Sequence, residues 1–525
     1  MWSHGERSYS ELLTMQETKG LGVYNVAIIG AGTAGLVTAA GTAGLGGRVA
    51  LIERNKMGGD CLNFGCVPSK ALIASARIIN SIRHASKWGL DEKEPRFEFP
   101  TVFESMRSRR AKIAPNDSME RFESLGVDVF LGEAHFVSPH EIAVGDQTLR
   151  ATNFVIAAGT RARIPPIEGI CDVPFFTNET IFDELRKKPE SMIVLGGGPI
   201  GCELGQAMGR LGVNATIIQV HEQILPKEDP EVADWMETLL EAEGIRVLCS
   251  SRSVRVSMRD GKVELDLVHK PRGRHESHTM QIFADTLLVS AGRVPNVEKL
   301  NLDAAGVKFN SRGIEVNVYL QTSQPHIYAA GDIAGPYQFT HTADAQARVV
   351  VRNILMPFQM LRQKMDYSVV PWCTYTDPEI AHVGLNQTEA RQQNRSYDLI
   401  SVRIDELDRA VVEREELGFV KVLTAKGTDR ILGVTMVTAH AGDLLHEFVV
   451  AMKHRIGLSQ LAATIHAYPT FAELGRKVGD RYSKKRLTPF LKKVFTWLYQ
   501  RSRAASGFTS PRVRAAQNVI SGRGD

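Results

Sequence analysis

One pattern occurs twice in this chain and narrows its fold more than any other. A short apolar run leads into a glycine-rich turn, a helix-length stretch and a second apolar run. The first copy is 24–29, then Gly30-Ala31-Gly32-Thr33-Ala34-Gly35, then 49–52, ending at Glu53. The second is 192–195, then Gly196-Gly197-Gly198-Pro199-Ile200-Gly201, then 215–218, ending at Gln219. Glu53 and Gln219 each stand 18 residues after the third glycine. In a strand–turn–helix of this kind the first glycine permits a tight turn and the second lets a pyrophosphate reach the backbone. The third allows close packing of helix on strand, and the acidic position meets a ribose hydroxyl. Gly30, Gly32, Gly35 and Glu53 are therefore candidates for one dinucleotide, and Gly196, Gly198, Gly201 and Gln219 for a second. The fold class is α/β.

Between the two copies lies Gly58-Gly59-Asp60-Cys61-Leu62-Asn63-Phe64-Gly65-Cys66-Val67-Pro68-Ser69-Lys70. Pro68 suits the first position of a helix, where a missing N–H costs nothing. Cys66 then lies near that helix's N-terminus, which stabilises a thiolate. A thiolate beside a second thiol is the minimum for dithiol–disulfide exchange. The spacing alone also suits half a zinc site or two core cysteines. Zinc sites need a second ligand pair, and Cys171, Cys202, Cys249 and Cys373 are scattered. No metal site is expected. With two dinucleotides and a cysteine pair, the simplest circuit runs from nicotinamide through a flavin to a disulfide.

On these motifs the chain resembles the flavin-dependent pyridine nucleotide–disulfide oxidoreductases, which include dihydrolipoamide dehydrogenase, glutathione reductase and mercuric reductase. Further runs carry the likeness: Ile327-Tyr328-Ala329-Ala330-Gly331-Asp332 as a second flavin motif, and Val155-Ile156-Ala157-Ala158-Gly159-Thr160 and Leu288-Val289-Ser290-Ala291-Gly292-Arg293 as crossings between nucleotide domains. Tyr375-Thr376-Asp377-Pro378-Glu379 resembles the entry to a dimer-interface domain. The resemblance spans about residues 22–485. It implies two Rossmann-like dinucleotide-binding domains, with the nicotinamide domain (166–284) inserted in the flavin domain (22–165 and 285–354). A C-terminal α+β dimerisation domain (366–485) and a basic tail (486–525) follow. It also implies FAD and NAD(P)H as cofactors, a homodimer, and a Cys61–Cys66 disulfide. Cys66 would face the flavin and Cys61 would attack the substrate. Lys70, paired with Glu203, would approach the flavin. Thr160 and Asp332 would serve FAD, and Gly292 the nicotinamide nucleotide.

One segment departs from dihydrolipoamide dehydrogenase and glutathione reductase. Those proteins carry a histidine directly before Pro-Thr and a glutamate four positions after that proline. Here Thr464-Ile465-His466-Ala467-Tyr468-Pro469-Thr470-Phe471-Ala472-Glu473 keeps Glu473 but has Tyr468 at the histidine position. A phenol, with a pKa near 10 against about 6.5 for imidazole, is a poor proton shuttle at neutral pH. His466 is a substitute if the segment is extended, since it would then share a face with Tyr468. Tyrosine here, with Val67-Pro68-Ser69-Lys70, is similar to mercuric reductase. Thiolates suffice to bind a soft metal ion, but the C-terminal cysteine pair of that enzyme has no counterpart, Cys373 being the last cysteine. The expected activity is passage of electrons from NAD(P)H through FAD to a disulfide or soft metal ion. The alternatives are dihydrolipoamide dehydrogenase or a membrane-associated NAD(P)H:quinone electron-transfer flavoprotein. An acid at Gln219 would favour NAD; its absence, with His221 nearby, leans the choice to NADPH.

Net charge is +4 but uneven: 481–525 carries eleven Lys or Arg against Asp525, leaving the rest of the chain acidic. That acidity and the lack of a readout motif argue against nucleic acid. Residues 484–503 interleave Leu487, Phe490, Leu491, Val494, Phe495, Trp497, Leu498 and Tyr499 with basic residues. The pattern suits either a peripheral membrane contact or, the favoured reading, a last helix packed on the dimerisation domain. No apolar run approaches the ~18 residues of a membrane span. Residues 1–20 lack the order of a secretory signal, and six cysteines make no secreted framework, so the cytoplasm is expected. Residues 1–20 and 503–525 are expected to be poorly ordered.

Overall fold

The computed structural model describes residues 22–273 and 276–505. Most of the two termini expected to be poorly ordered lie outside the described residues. The chain forms two compact units that divide after Asp377.

The first unit is built on the two glycine-turn repeats. Strand β1 (Tyr24–Ile29), helix α1 (Thr33–Gly44) and strand β2 (Val49–Glu53) follow in order. A parallel sheet runs Val127–Leu131, β2, β1, Gln147–Ile156, with Ile327–Ala329 beside the last strand. All of β2 and all of β1 but Asn25 are buried. That is what continuous apolar runs require in a parallel sheet covered on both faces. Each Val, Leu or Ile so buried contributes roughly 1.5–3 kcal/mol. Helix α2 (Cys66–Arg83) follows the cysteine segment. Cys66 is its first residue and Pro68 its third. The proline therefore sits two places later than the spacing implied, still within the turn whose N–H groups lack helical partners.

The second repeat gives β3 (Ser191–Leu195), α3 (Pro199–Arg210) and β4 (Asn214–Ile218). Its parallel sheet has the order Arg246–Leu248, β4, β3, Thr286–Val289. The last strand lies beyond residue 285, where the chain was expected to have returned to the flavin domain. Thr286–Val289 is buried throughout and finds its partner in β3. The return comes with Arg293–Pro295, which pairs with Thr160–Ala162. Helix α4 (Thr340–Leu355) then packs on α1.

By contact, residues 366–377 group with the first unit. The reason is local: the Tyr375 and Asp377 backbone N–H groups donate to Glu203 and Gln206 of α3, and Arg210 pairs with the Asp377 carboxylate at 2.5 Å.

The second unit has an antiparallel sheet in the order Glu379–Gly384, Ile431–Thr438, Phe419–Ala425, Tyr397–Arg403. Helix α5 (Ala441–Lys453) packs on its first two strands and α6 (Glu473–Arg486) on its last. Helix α7 (Pro489–Ala505) follows and is exposed along its described length except for the half-buried Val494. This corrects the favoured expectation of a last helix packed on the domain, which α6 fulfils instead.

Candidate functional site

The glycine turns are near copies in space as in sequence. Gly30 and Gly196 have φ of 108° and 111°, a region L-residues avoid. A Cβ on Gly35 would meet the Gly30 carbonyl oxygen at 1.8 Å, and one on Gly201 the Gly196 oxygen at the same distance. No side chain fits at either third glycine. A Cβ on Gly198 would meet nothing within 4 Å, so that turn is open to an approaching group. Glu53 is buried and takes the Ala31 N–H at 2.7 Å on Oε2 and the Asn55 N–H at 2.8 Å on Oε1. Each oxygen keeps a lone pair for a ribose hydroxyl. At the matching place the buried Gln219 accepts the Val220 N–H through Oε1 at 3.0 Å, so the end of its side chain left for a ligand is an amide donor.

A cleft of about 1360 Å³ joins the first turn to the cysteine segment and to α3. Gly30, Gly32, Glu53, Cys61, Cys66, Lys70, Thr160, Glu203 and Asp332 all line it. A smaller cavity of about 370 Å³ extends past Glu53 between Arg54, Arg161 and Asn296. This partly apolar space, walled by glycines at the first turn, suits FAD. Pro199 and Ile200 of the second turn reach the same cleft, whereas Gly196, Gly198, Gly201, Gln219 and Gly292 do not line it.

Cys61 lies in the short helix Gly59–Asn63 and Cys66 opens α2. Both are free thiols, hydrogen-bonded to each other. That bond lowers the Cys66 pKa to about 6. Burial opposes the shift, and the Thr340 hydroxyl, 3.4 Å from Cys66 Sγ, and the Lys70 ammonium assist it. The same bond, then burial, pushes the Cys61 thiol up. The pair thus holds one proton on Cys61 and one negative charge on Cys66.

Lys70 Nζ donates to Glu203 Oε2 at 2.8 Å and lies 4.4 Å from the centroid of the Tyr375 ring. Burial works against the ammonium charge, but the buried Glu203 carboxylate keeps its pKa above the ordinary lysine value. Glu203 Oε1 accepts the Tyr375 N–H at 2.9 Å, so α3 and the 375 segment fix the lysine together. At the other side Thr160 Oγ1 donates to Asp332 at 3.1 Å. Arg293 donates to Thr160 Oγ1 at 2.7 Å and pairs with Asp60 at 3.0 Å. Burial raises the Asp332 pKa, and Arg293 opposes the rise.

Thr340, Tyr375 and Arg293 are site residues that had no assigned role in the sequence. Tyr375 and Arg293 sit inside recognised motifs, which was the available signal. Thr340 had none.

In the second unit the three expected proton-transfer residues do not meet. His466 is half-buried, with Nε2 2.9 Å from Glu447 Oε1 and Nδ1 2.9 Å from the Thr464 carbonyl oxygen. Gly475 makes room, since a Cβ there would meet Glu447 Oε2 at 2.4 Å. Tyr468 points elsewhere: it is 70% exposed and its hydroxyl donates to Asp408 at 3.0 Å, a bond that raises its pKa. The shared face expected of His466 and Tyr468 is therefore not formed, because this stretch is no strand. Glu473 is buried and paired with Arg476 at 2.7 Å.

Residues 24–347 match the family model "Pyridine nucleotide-disulphide oxidoreductase", and residues 370–478 match the dimerisation domain of the same family. A mercuric reductase of Lysinibacillus sphaericus is 33% identical, over 86% of this chain and 81% of its own. A dihydrolipoyl dehydrogenase of Chlamydia trachomatis is 32% identical, over 86% and 95%. Among solved structures, the Cu(II) complex of the HOCl-induced flavoprotein disulfide reductase RclA from Escherichia coli is similar. Its TM-score is 0.78 at 25% identity, covering 88% of this chain and 99% of that one.

Proposed function

We propose, from the premise that the chain belongs to the pyridine nucleotide-disulphide oxidoreductase family, that it reduces a small disulfide or soft metal ion through Cys61 and Cys66. The protein is an oxidoreductase that uses FAD and NAD(P)H. FAD, when bound, relays the two electrons of a hydride from the nicotinamide to a disulfide. The net exchange is NAD(P)H, a proton and one S–S bond for NAD(P)+ and two thiols.

The observation that carries the reading is the asymmetry of the pair. Cys66 holds the thiolate at the first turn of α2, beside Thr340 and Lys70, while Cys61 keeps the proton. Lys70, held by Glu203, supplies positive charge where electrons accumulate. Glu53, Thr160 and Asp332 orient FAD. Attack by the Cys61 sulfur on a substrate disulfide forms a mixed disulfide and releases one thiol. Attack by Cys66 on Cys61 then releases the second thiol and restores the Cys61–Cys66 bond. No imidazole stands at position 468 to protonate a leaving thiol. A soft metal ion, as substrate, asks only for two thiolates, and this favours it over lipoamide or glutathione.

Gln219 presents an amide donor where a carboxylate would repel a 2′-phosphate, which supports NADPH as the preferred nucleotide. The matched dimerisation domain supports a homodimer. The sheets support a flavin domain of 22–165 and about 290–354 and an inserted nicotinamide domain of 166–289. Six cysteines in so long a chain make no secreted disulfide framework, which suits a reducing cytoplasm. Among the described residues no helix is long and apolar enough to cross a membrane; residues 484–503 fit a peripheral contact instead.

The test is NADPH-driven reduction of Hg(II) and of an aromatic disulfide, with a quinone alongside, by the native protein and by Cys61→Ser. Loss of the first two activities with the quinone spared supports the reading. Unchanged metal and disulfide reduction in the variant overturns it.

A further inference from the structure

Among the described residues, helix α7 presents an apolar face that is exposed except at the half-buried Val494. Phe490 is 72% exposed, Trp497 54% and Tyr499 72%. At 3.6 residues per turn, Phe490, Leu491, Val494, Phe495 and Leu498 form one stripe. Lys492, Thr496, Gln500 and Arg503 run along the opposite side. Trp497 and Tyr499 stand at the two edges of the apolar stripe, where amphipathic rings sit when one side is lipid and the other water. Arg501 breaks the stripe near its end, with its guanidinium 5.5 Å from the centroid of the Trp497 ring. There its long stem can lie along apolar surface while the charge stays in water. Most helices in proteins draw their stability from packing an amphipathic face, and an exposed apolar patch of this kind marks an interaction surface.

The charge decides the occupant. No acid occurs between Asp480 and Asp525, and Lys484, Lys485 and Arg486 end the preceding helix. A second copy of α7 would bring like charge against like charge. An anionic bilayer surface complements both faces at once. The basic residues and the interfacial aromatics make the helix unfit to span a membrane and suited to lie in its surface.

We propose that α7 lies flat in the headgroup region of an anionic membrane, with Phe490, Val494 and Leu498 immersed and Lys492, Lys493 and Arg503 at the phosphates. The proposal deepens the peripheral-contact reading and is independent of the thiol chemistry.

The test is co-sedimentation of the full-length, FAD-loaded protein with phosphatidylcholine vesicles containing one third phosphatidylglycerol, and with pure phosphatidylcholine vesicles. Binding to the anionic vesicles should exceed binding to the neutral ones at least tenfold and fall with added salt. Lys492→Glu with Lys493→Glu should lose at least tenfold, each charge being worth about fivefold at such a surface. Phe490→Ser with Trp497→Ser should lose a similar amount. Both double variants should keep the native flavin spectrum and NAD(P)H oxidation, which shows that they fold. Equal binding to both vesicles would overturn the role of charge while leaving a peripheral contact. No binding to either would overturn the contact as well. A native assembly larger than a dimer, returned to a dimer by the Phe490 and Trp497 changes, would assign the face to a second copy and also overturn the proposal.

Discussion

The dithiol segment and the 464–476 segment have kept different shares of the machinery their family implies. Around Cys61 and Cys66 the expected residues are brought together, Lys70 on Glu203 and Thr160 on Asp332, and Thr340, which the sequence did not point to, stands against Cys66. Around Tyr468 the expected proton relay is taken apart. His466 is engaged by Glu447, Glu473 by Arg476, and Tyr468 by Asp408. The difference separates electron transfer, which the chain is equipped to perform, from proton delivery to a leaving thiol, which it is not. An oxidant that needs electrons but no proton shuttle fits both halves.

The strongest way to break this comparison is to remove the thiolate. Cys66→Ser should lower NADPH-driven disulfide or metal reduction by about a thousandfold or more, since the step that restores the disulfide has no substitute nucleophile; stopped-flow and steady-state rates check it. Glu203→Gln leaves Lys70 without its buried counter-charge and should slow reduction of bound FAD by about a hundredfold, the scale of losing one preorganised electrostatic contact. Rapid mixing with NADPH reads this directly.

The comparison is sharpened from the other side by Tyr468→His. If the missing imidazole is what limits thiol leaving groups, turnover of a small disulfide should rise about tenfold or more at neutral pH, with Hg(II) reduction unchanged. The pH dependence follows from the Cys66 pKa of about 6. A lowered thiol pKa keeps the nucleophile present above that pH and loses it below. Alkylation of the NADPH-reduced protein by iodoacetamide should therefore fall about tenfold per pH unit below 6 and level off above it. The smallest effect is expected at the second nucleotide. Gln219→Glu should shift the kcat/KM ratio of NADPH to NADH by about tenfold toward NADH, measured by initial rates.

Much of this was legible in the sequence, for reasons that differ by element. Gly30 and Gly196 are forced by positive φ, and Gly35 and Gly201 by contact with a backbone oxygen. Such constraints leave a mark in single residues. Cys66 at a helix start and the Lys70–Glu203 pairing were readable from spacing and resemblance. The strand Thr286–Val289 was assigned to the wrong sheet because its partner, β3, lies some ninety residues earlier, and pairing at that separation has no local signature. Thr340 and Arg293 reach the site only through tertiary packing. The parity argument for His466 failed because it assumes an extended strand, and the segment has none. The exposure of α7 was likewise hidden, since an amphipathic pattern does not say what will cover it.

The central claim is that a Cys66 thiolate lies against FAD and passes its charge on through Cys61. The most direct measurement is an anaerobic titration of the purified, FAD-loaded protein with NADPH and then NADH, recording the visible spectrum. A long-wavelength band is expected at two electrons per subunit, formed faster with NADPH and absent in Cys66→Ser; in Cys61→Ser, which has no disulfide to reduce, the band should be present before NADPH is added and bleach as two electrons enter the flavin. Direct bleaching of the flavin at two electrons with no such band would contradict it.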